Sequence, residues 1–266
     1  MTSLVLALWL AAAPGQAPGA GERAPGVAAP VSLRVHVTAS EDLDPDALRA
    51  LSRPGVVLWL RTRSNALRTS TVERLARFGE AYVELRSPVS QRQVEQLRRV
   101  PAAGIWGRGR SLRTEDLTRV GMRRVAWSTS GALDELESTW RAFHPVRVRW
   151  GAPQQVVLAA WARLGQLPGA VTVSLPPGEV PSCEERAEGV PGGRSVRFVA
   201  RSPDEARSLA RCGFGVVLVV EPSASAPSLL ELFREIPFLE LEVDVGADVQ
   251  KARVLRALIE GLGRAP

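Results

Sequence analysis

Short segments with alternating apolar and polar residues recur along the chain at nearly even spacing. They begin roughly 20 to 25 residues apart, and most are followed by a polar turn and a stretch with helical spacing of apolar positions. A regular alternation of strand and helix at this period is typical of repeated βα architectures. The ten predicted strands begin at Leu33, Leu58, Val83, Ile105, Val125, Val146, Val171, Val196, Leu218 and Leu239.

The third unit shows how the pattern predicts each element. In residues 81–86, Val83 and Leu85 lie on one face of the predicted strand, and the other face carries polar or aromatic side chains. Ser90 is a typical N-cap for the helix that follows. In a strand–helix–strand order, the helix serves as the crossover connection that joins two parallel strands. The predicted sheet is therefore parallel. The apolar positions of the helix are Val94, Leu97 and Val100.

We predict an α/β fold in which βα units of roughly 23 residues close into a TIM-barrel-like parallel barrel. The runs Val56–Leu60 and Val216–Val220 are apolar on both faces, as in strands that are covered on both sides. The first strand carries Arg34 and His36 on its polar face, and the last strand carries acidic residues. Opposite charges of this kind would complement each other where the barrel closes. The acidic residues are Glu240, Glu242 and Asp244.

An open βα solenoid is the alternative fold. Ten predicted strands exceed the eight of a TIM barrel, and several arginines occupy the face that would fill a barrel interior, where room for charge is limited. A solenoid would expose that face to water. If the barrel closes, we expect one or two strands outside the ring, the Ile105 and Val125 segments first. Glycines weaken the Ile105 segment at Gly104, Gly107 and Gly109.

Length and composition are compatible with one domain over residues 31–266. The chain has 266 residues, of which 45% are hydrophobic, and this is enough for one sizeable core. Its formal net charge is +6, and Lys251 is the only lysine among many arginines. No basic run is interleaved with aromatic residues, as a single-stranded nucleic-acid groove would require. We therefore expect no nucleic-acid partner.

The first 30 residues have the pattern of a secretory signal peptide and a spacer. Leu4–Ala13 is apolar and too short to span a bilayer, and a stretch rich in Pro, Gly and Ala follows. We expect export to the periplasm or the cell exterior, with no transmembrane segment in the mature chain. A disordered, alanine-rich terminus is the alternative. Export would permit a disulfide between Cys183 and Cys212, and two unrelated thiols fit the sequence equally well.

In parallel α/β folds, ligands bind at the carboxyl ends of the strands. Arginines recur at those ends, and two tryptophans lie on the same face two residues earlier. Guanidinium groups bind anions and indole rings stack on sugars, so we predict a binding or accessory module for a glycan or anionic ligand. Solvated arginines and core tryptophans are the structural alternative. The predicted ligand-binding residues are Arg61, Arg86, Arg108, Arg201, Trp59 and Trp106.

Whether the protein is an enzyme is left open by the sequence, because no strong catalytic motif is present. A divergent barrel hydrolase acting on glycans is the second hypothesis. Its two carboxylates would come from Glu221, Asp244 and Glu84, in that order of preference. A protein-interaction solenoid is the third. The only histidines, His36 and His144, lie in distant units, so we expect no metal site, and we expect no cofactor. The sequence does not indicate the oligomeric state.

Overall fold

The chain folds into a closed barrel of ten parallel strands. The computed structural model describes residues 33–63, 67–121, 124–167, 169–186, 196–236 and 238–263. Each strand pairs with its neighbours in the sequence, and the last strand, β10, pairs with the first, β1. The predicted TIM-barrel-like closure is therefore confirmed, and the open solenoid is wrong. The predicted signal segment, Leu4–Ala13, lies outside the described residues.

Strands and helices alternate along the barrel, with one extra short helix between β6 and β7. The strands are β1 Val35–Ser40, β2 Val56–Arg61, β3 Glu80–Glu84, β4 Ala103–Arg108, β5 Val125–Ser130, β6 Arg147–Gly151, β7 Ala170–Ser174, β8 Val196–Ala200, β9 Gly215–Val219 and β10 Leu239–Gly246. The helices are α1 Pro45–Ala50, α2 Thr69–Leu75, α3 Gln91–Arg98, α4 Thr114–Val120, α5 Leu133–Phe143, α6 Gln154–Ala159, α7 Trp161–Leu164, α8 Cys183–Arg186, α9 Pro203–Arg211, α10 Ala226–Glu235 and α11 Val249–Gly263.

All ten predicted strands lie in the ring, so the expectation that one or two lie outside it is wrong. β4 pairs with both β3 and β5 despite its glycines. Gly104 faces the Tyr82 ring, where a Cβ atom would lie 2.7 Å from Cδ1. Gly107 faces the Trp127 ring, where a Cβ would lie 2.3 Å from Cζ3. These glycines make room for large rings on neighbouring strands, and they do not mark a weak strand.

The two faces of each strand have different neighbours. Apolar residues at alternate positions, such as Val35, Val37 and Ala39 on β1, pack with helix residues in one large hydrophobic core. The opposite face points into the barrel, and its apolar part is a separate small cluster. Most other inward positions are polar or charged. The small cluster consists of Val57, Trp59, Tyr82, Trp106 and Ala126.

Local sequence signals determine where several helices begin. The Ser90 hydroxyl accepts a hydrogen bond from Gln93 N, and the Gln93 side-chain oxygen accepts one from Ser90 N, which forms a capping box at α3. At the start of α9 the Ser202 hydroxyl likewise accepts a hydrogen bond from Glu205 N, without the reciprocal bond of a capping box. The two cysteines form a disulfide: Cys183 in α8 and Cys212 after α9 have Cα atoms 4.7 Å apart. In the part of the chain that the structure describes, no helix has the length and apolarity needed to cross a bilayer.

Candidate functional site

The barrel interior is filled by an ion network, which we define as Arg34, His36, Glu80, Arg147, Arg149, Arg197, Glu240 and Glu242. In the sequence, arginines at inward positions favour the open solenoid over a closed barrel. The physical reason that they fit is width, because a barrel of ten strands encloses more space than one of eight. Long arginine side chains reach across this space, and each has a carboxylate partner within 4 Å.

His36 and Glu240 join the strands at the closure. His36 Nε2 lies 2.8 Å from Glu240 Oε2, and Trp59 Nε1 donates to His36 Nδ1 at 3.1 Å. Because Nδ1 accepts a hydrogen bond, the ring carries its proton on Nε2 and donates it to Glu240. Arg197 lies 3.2 Å from the other Glu240 oxygen. The predicted complementarity between the first and last strands is realised in these contacts.

The pKa of Glu240 is set by two opposing effects. Burial raises it, but the His36 hydrogen bond, with the nearby charges of Arg197 and Arg34, lowers it below the ordinary value of 4.5. Glu240 is therefore ionised in the folded protein at neutral pH. Its charge contributes stability above about pH 4.5 and loses that contribution as pH falls through the lowered pKa.

Two ion pairs of the network join strands that are separated by at least two others. From β6, Arg147 Nε donates to Glu80 Oε1 on β3 at 2.7 Å. Also from β6, Arg149 donates to Glu242 Oε1 on β10 at 2.9 Å. Two strands separate the first pair and three separate the second. These cross-barrel ion pairs hold opposite walls at fixed distances.

Aromatic rings fill the space between the charges. The Arg149 guanidinium carbon lies 4.1 Å from the Trp59 ring centroid, a close cation–π contact. Burial lowers the pKa of Arg149, and Glu242 opposes that shift. Burial, together with the Glu80 carboxylate, raises the pKa of Tyr82. A cavity of about 10 Å³ between His36, Trp59, Arg149 and Glu242 has room for about one water molecule.

At the carboxyl ends of the strands, the mouth of the barrel, two predicted arginines share one carboxylate. Glu84, whose side chain is 1% exposed, lies 3.0 Å from Arg86 and 3.8 Å from Arg108. Both arginines contact Oε1 of Glu84, and both remain half-exposed or more. We call Glu84, Arg86 and Arg108 the mouth cluster. It carries one more positive charge than negative charge.

The other predicted site residues at the mouth have separate partners. Arg61 forms an exposed ion pair with Asp244 at 3.0 Å. Arg201 is exposed and donates through its guanidinium to the carbonyl of Leu175. Glu221 is exposed in the turn after β9, where its carbonyl accepts a hydrogen bond from the backbone of a following residue. The structure therefore brings together Arg86 with Arg108 and Arg61 with Asp244, but it gives no contact that joins Glu221 to either pair.

Trp59 and Trp106 lie beneath the rim, as their spacing from Arg61 and Arg108 predicts, and both are almost fully buried. Trp59 stacks on Tyr82 with ring centroids 4.9 Å apart and meets Trp106 edge-on at 5.3 Å. Their ring faces are therefore covered by other side chains. Trp106 Nε1 donates to the Ser128 hydroxyl at 2.8 Å.

Sequence reasoning missed the role of the inward residues deeper in the barrel. Glu80, Arg147 and Glu242 alternate with core residues, so their facing direction was predictable from strand period. The sequence did not predict which glutamate pairs with which arginine across the barrel. Within the described ranges, no group of three or more His, Cys, Asp or Glu side chains could hold a metal ion.

No protein-family model and no curated protein matches this chain. Among solved structures, it is similar to the crystal structure of protein CitE from Mycobacterium tuberculosis in complex with magnesium, acetoacetate and coenzyme A. The sequence identity is 12% and the TM-score is 0.33, over 88% of this chain and 82% of that chain. Similarity at this level carries no argument about function, and the fold assignment follows from the strand pairing alone.

Replacing Glu240 tests the ion network. Glu240→Gln should lower the free energy of unfolding near neutral pH by about 3 kcal/mol, because it leaves Arg197 without its buried carboxylate. Below about pH 4.5, the ordinary value from which the pKa of Glu240 is lowered, the difference from the wild type should shrink as the native carboxylate becomes protonated. Urea denaturation at several pH values measures both effects.

Glu231→Gln is the matched control, because Glu231 is exposed on α10. It should change the unfolding free energy by less than about 0.5 kcal/mol. Equal effects of the two substitutions, or a Glu240→Gln effect that does not depend on pH, would contradict the role assigned to the network.

Proposed function

We propose that the barrel mouth binds a small anionic ligand, and that the protein is a binding or accessory module. The observation that carries this proposal is the mouth cluster, where the Glu84 carboxylate is shared by Arg86 and Arg108. One carboxylate neutralises only one guanidinium. The remaining positive charge lies where barrels of this class bind ligands.

The mouth cluster leaves donors available to a ligand. The Arg86 and Arg108 side chains are 64% and 51% exposed, although each contacts Glu84. A guanidinium has five N–H donors. Arg86 uses Nε and Nη2 on Glu84 Oε1, and Arg108 approaches the same oxygen through Nη1, so each arginine keeps donors that Glu84 does not engage. A carboxylate, sulfate or phosphate can accept two of these bonds at once. Glu84 limits the side-chain motion of both arginines and so preorganises the site.

The arrangement favours an acidic ligand over a neutral sugar. Stacking on a sugar needs an exposed aromatic face, and Trp59 and Trp106 are 1% and 4% exposed. An anionic glycan would therefore be recognised through its carboxylate or sulfate groups. At other strand ends of the mouth, Ser130, Gly151 and Ser174 carry small side chains.

A glycan hydrolase is less well supported than a binding module. Of its three candidate carboxylates, Glu84 is held by two arginines and Asp244 by Arg61. Glu221 is exposed in a turn. Hydrolysis needs two carboxyl groups that face one scissile bond, and here the arginines engage two of the three candidates. Hydrolysis of an acidic oligosaccharide in the binding experiment below would favour the enzyme.

Binding of acidic oligosaccharides tests the proposal. We expect oligogalacturonate to bind the full chain and neutral galacto-oligosaccharides to bind at least tenfold more weakly, because only the former carry carboxylates. Arg86→Gln and Arg108→Gln should each weaken oligogalacturonate binding about tenfold, the loss of one charge-assisted contact. Isothermal titration calorimetry at low and high salt measures affinity and its expected decrease with salt.

Arg234→Gln is the matched control, because Arg234 is exposed in the last turn of α10, at the other end of the barrel. It removes the same charge and should leave affinity unchanged. Thermal melts of every variant separate lost binding from lost folding, since Glu84 is buried and needs a partner. An affinity that falls equally in all three variants would show an effect of net charge and no mouth site.

We also propose that the protein is exported. The apolar segment Leu4–Ala13 and the spacer after it support this, and so does the Cys183–Cys212 disulfide, because disulfides persist in oxidising compartments. We expect mass spectrometry of the native protein to find a chain that begins between about Ala13 and Val31, the interval given by that pattern. An intact Met1 terminus in cytoplasmic fractions alone would contradict export.

A further inference from the structure

A second cavity lies at the amino ends of β1, β2 and β3, on the side opposite the mouth. We call it the basal cavity; its volume is about 510 Å³. Cavities of about 300 to 1,000 Å³ are typical of small-molecule sites. Its walls are part apolar and part charged. The lining side chains include Leu33, Pro54, Arg34, Arg53, Arg77 and Glu80.

The charges of the basal cavity are unbalanced. Three arginines line it, against the single carboxylate of Glu80. Both oxygens of Glu80 are already engaged, Oε1 by Tyr82 and Arg147 and Oε2 by Arg34. Glu80 therefore cannot neutralise a further guanidinium.

The other two arginines of the basal cavity, Arg53 and Arg77, differ in their carboxylate partners. Arg53 lies 2.9 Å from Glu260 on α11, a carboxylate that also accepts a hydrogen bond from Arg256 at 2.8 Å. Arg77 is exposed after α2, and its guanidinium contacts no carboxylate among the residues that the structure describes. The cavity thus combines a surplus of positive charge with an apolar wall.

We infer that the basal cavity is a second ligand site, for a small molecule that carries an oxyanion on a compact apolar group. Arg77 would bind the phosphate or carboxylate, with Arg53 adding positive potential. Leu33 and Pro54 would contact the apolar part. The site is independent of the mouth, because the two lie at opposite ends of a barrel whose interior is filled by the ion network.

Phenyl phosphate and benzoate, with phenol and inorganic phosphate as comparisons, are the probes for this site. We expect phenyl phosphate and benzoate to bind the full chain in the micromolar to millimolar range, and phenol and inorganic phosphate at least tenfold more weakly than phenyl phosphate. Arg77→Gln should weaken phenyl phosphate binding about tenfold through loss of one charge-assisted contact. Arg92→Gln, an exposed position in the first turn of α3 at the opposite end, should leave it unchanged.

Gly79 allows a test that keeps every charge. Gly79 lines the cavity, and a Cβ atom there would have no heavy atom within 4 Å. Gly79→Leu should therefore fold normally, by its melting temperature, and place a side chain in the cavity that weakens phenyl phosphate binding by about tenfold or more. Phenyl phosphate binding that is insensitive to both Arg77→Gln and Gly79→Leu would overturn the proposal, as would the absence of binding up to 10 mM (roughly the weakest affinity of interest).

The mouth site and the basal site can be contradicted independently of each other. Arg86→Gln should leave phenyl phosphate binding unchanged if the basal cavity is the site. Loss of phenyl phosphate binding in Arg86→Gln but not in Arg77→Gln would assign the probe to the mouth and contradict the basal site. Failure of oligogalacturonate to bind would contradict the mouth alone.

Discussion

A barrel of ten strands has a wider interior than one of eight, and in this protein paired arginine and glutamate side chains occupy that interior. The cross-barrel ion pairs Arg147–Glu80 and Arg149–Glu242 connect strands that do not touch. Each charge in this interior would be costly if left unpaired. The network therefore constrains the whole fold, because its members come from strands around the ring and include the contact between β1 and β10 at the closure.

The network also determines where ligands can bind. Ion pairs and stacked rings occupy the interior, and exposed arginines that could contact a ligand lie at the two ends of the barrel. At the mouth, Arg86 and Arg108 share Glu84. At the amino end, Arg77 has no acidic partner among the described residues. This distribution supports the proposed binding of anions at the two ends of the barrel.

Much of the fold was predictable from sequence, because strand period and helix capping act locally. The opposite charges of Arg34 and His36 against Glu240 on the last strand predicted closure, and the structure joins them there. Three features were not predictable. The place of β4 in the barrel depends on Gly104 and Gly107, which leave room for the aromatic side chains of Tyr82 and Trp127 on the neighbouring strands. The partners of Arg147 and Arg149 depend on barrel width. Core burial of Trp59 and Trp106 was one of two alternatives in the sequence, and a single strand could not decide between them because the burial depends on stacking inside the barrel.

A double-mutant cycle on Arg149 and Glu242 tests the central claim that ion pairs across the barrel hold it together. Each single variant, Arg149→Met or Glu242→Leu, should lose about 3 kcal/mol of unfolding free energy, because it leaves an unpaired charge in the interior. The double variant should lose clearly less than the sum, with a coupling energy of at least about 1.5 kcal/mol. Additive losses, with a coupling energy near zero, would show that the two charges act independently and would contradict the account.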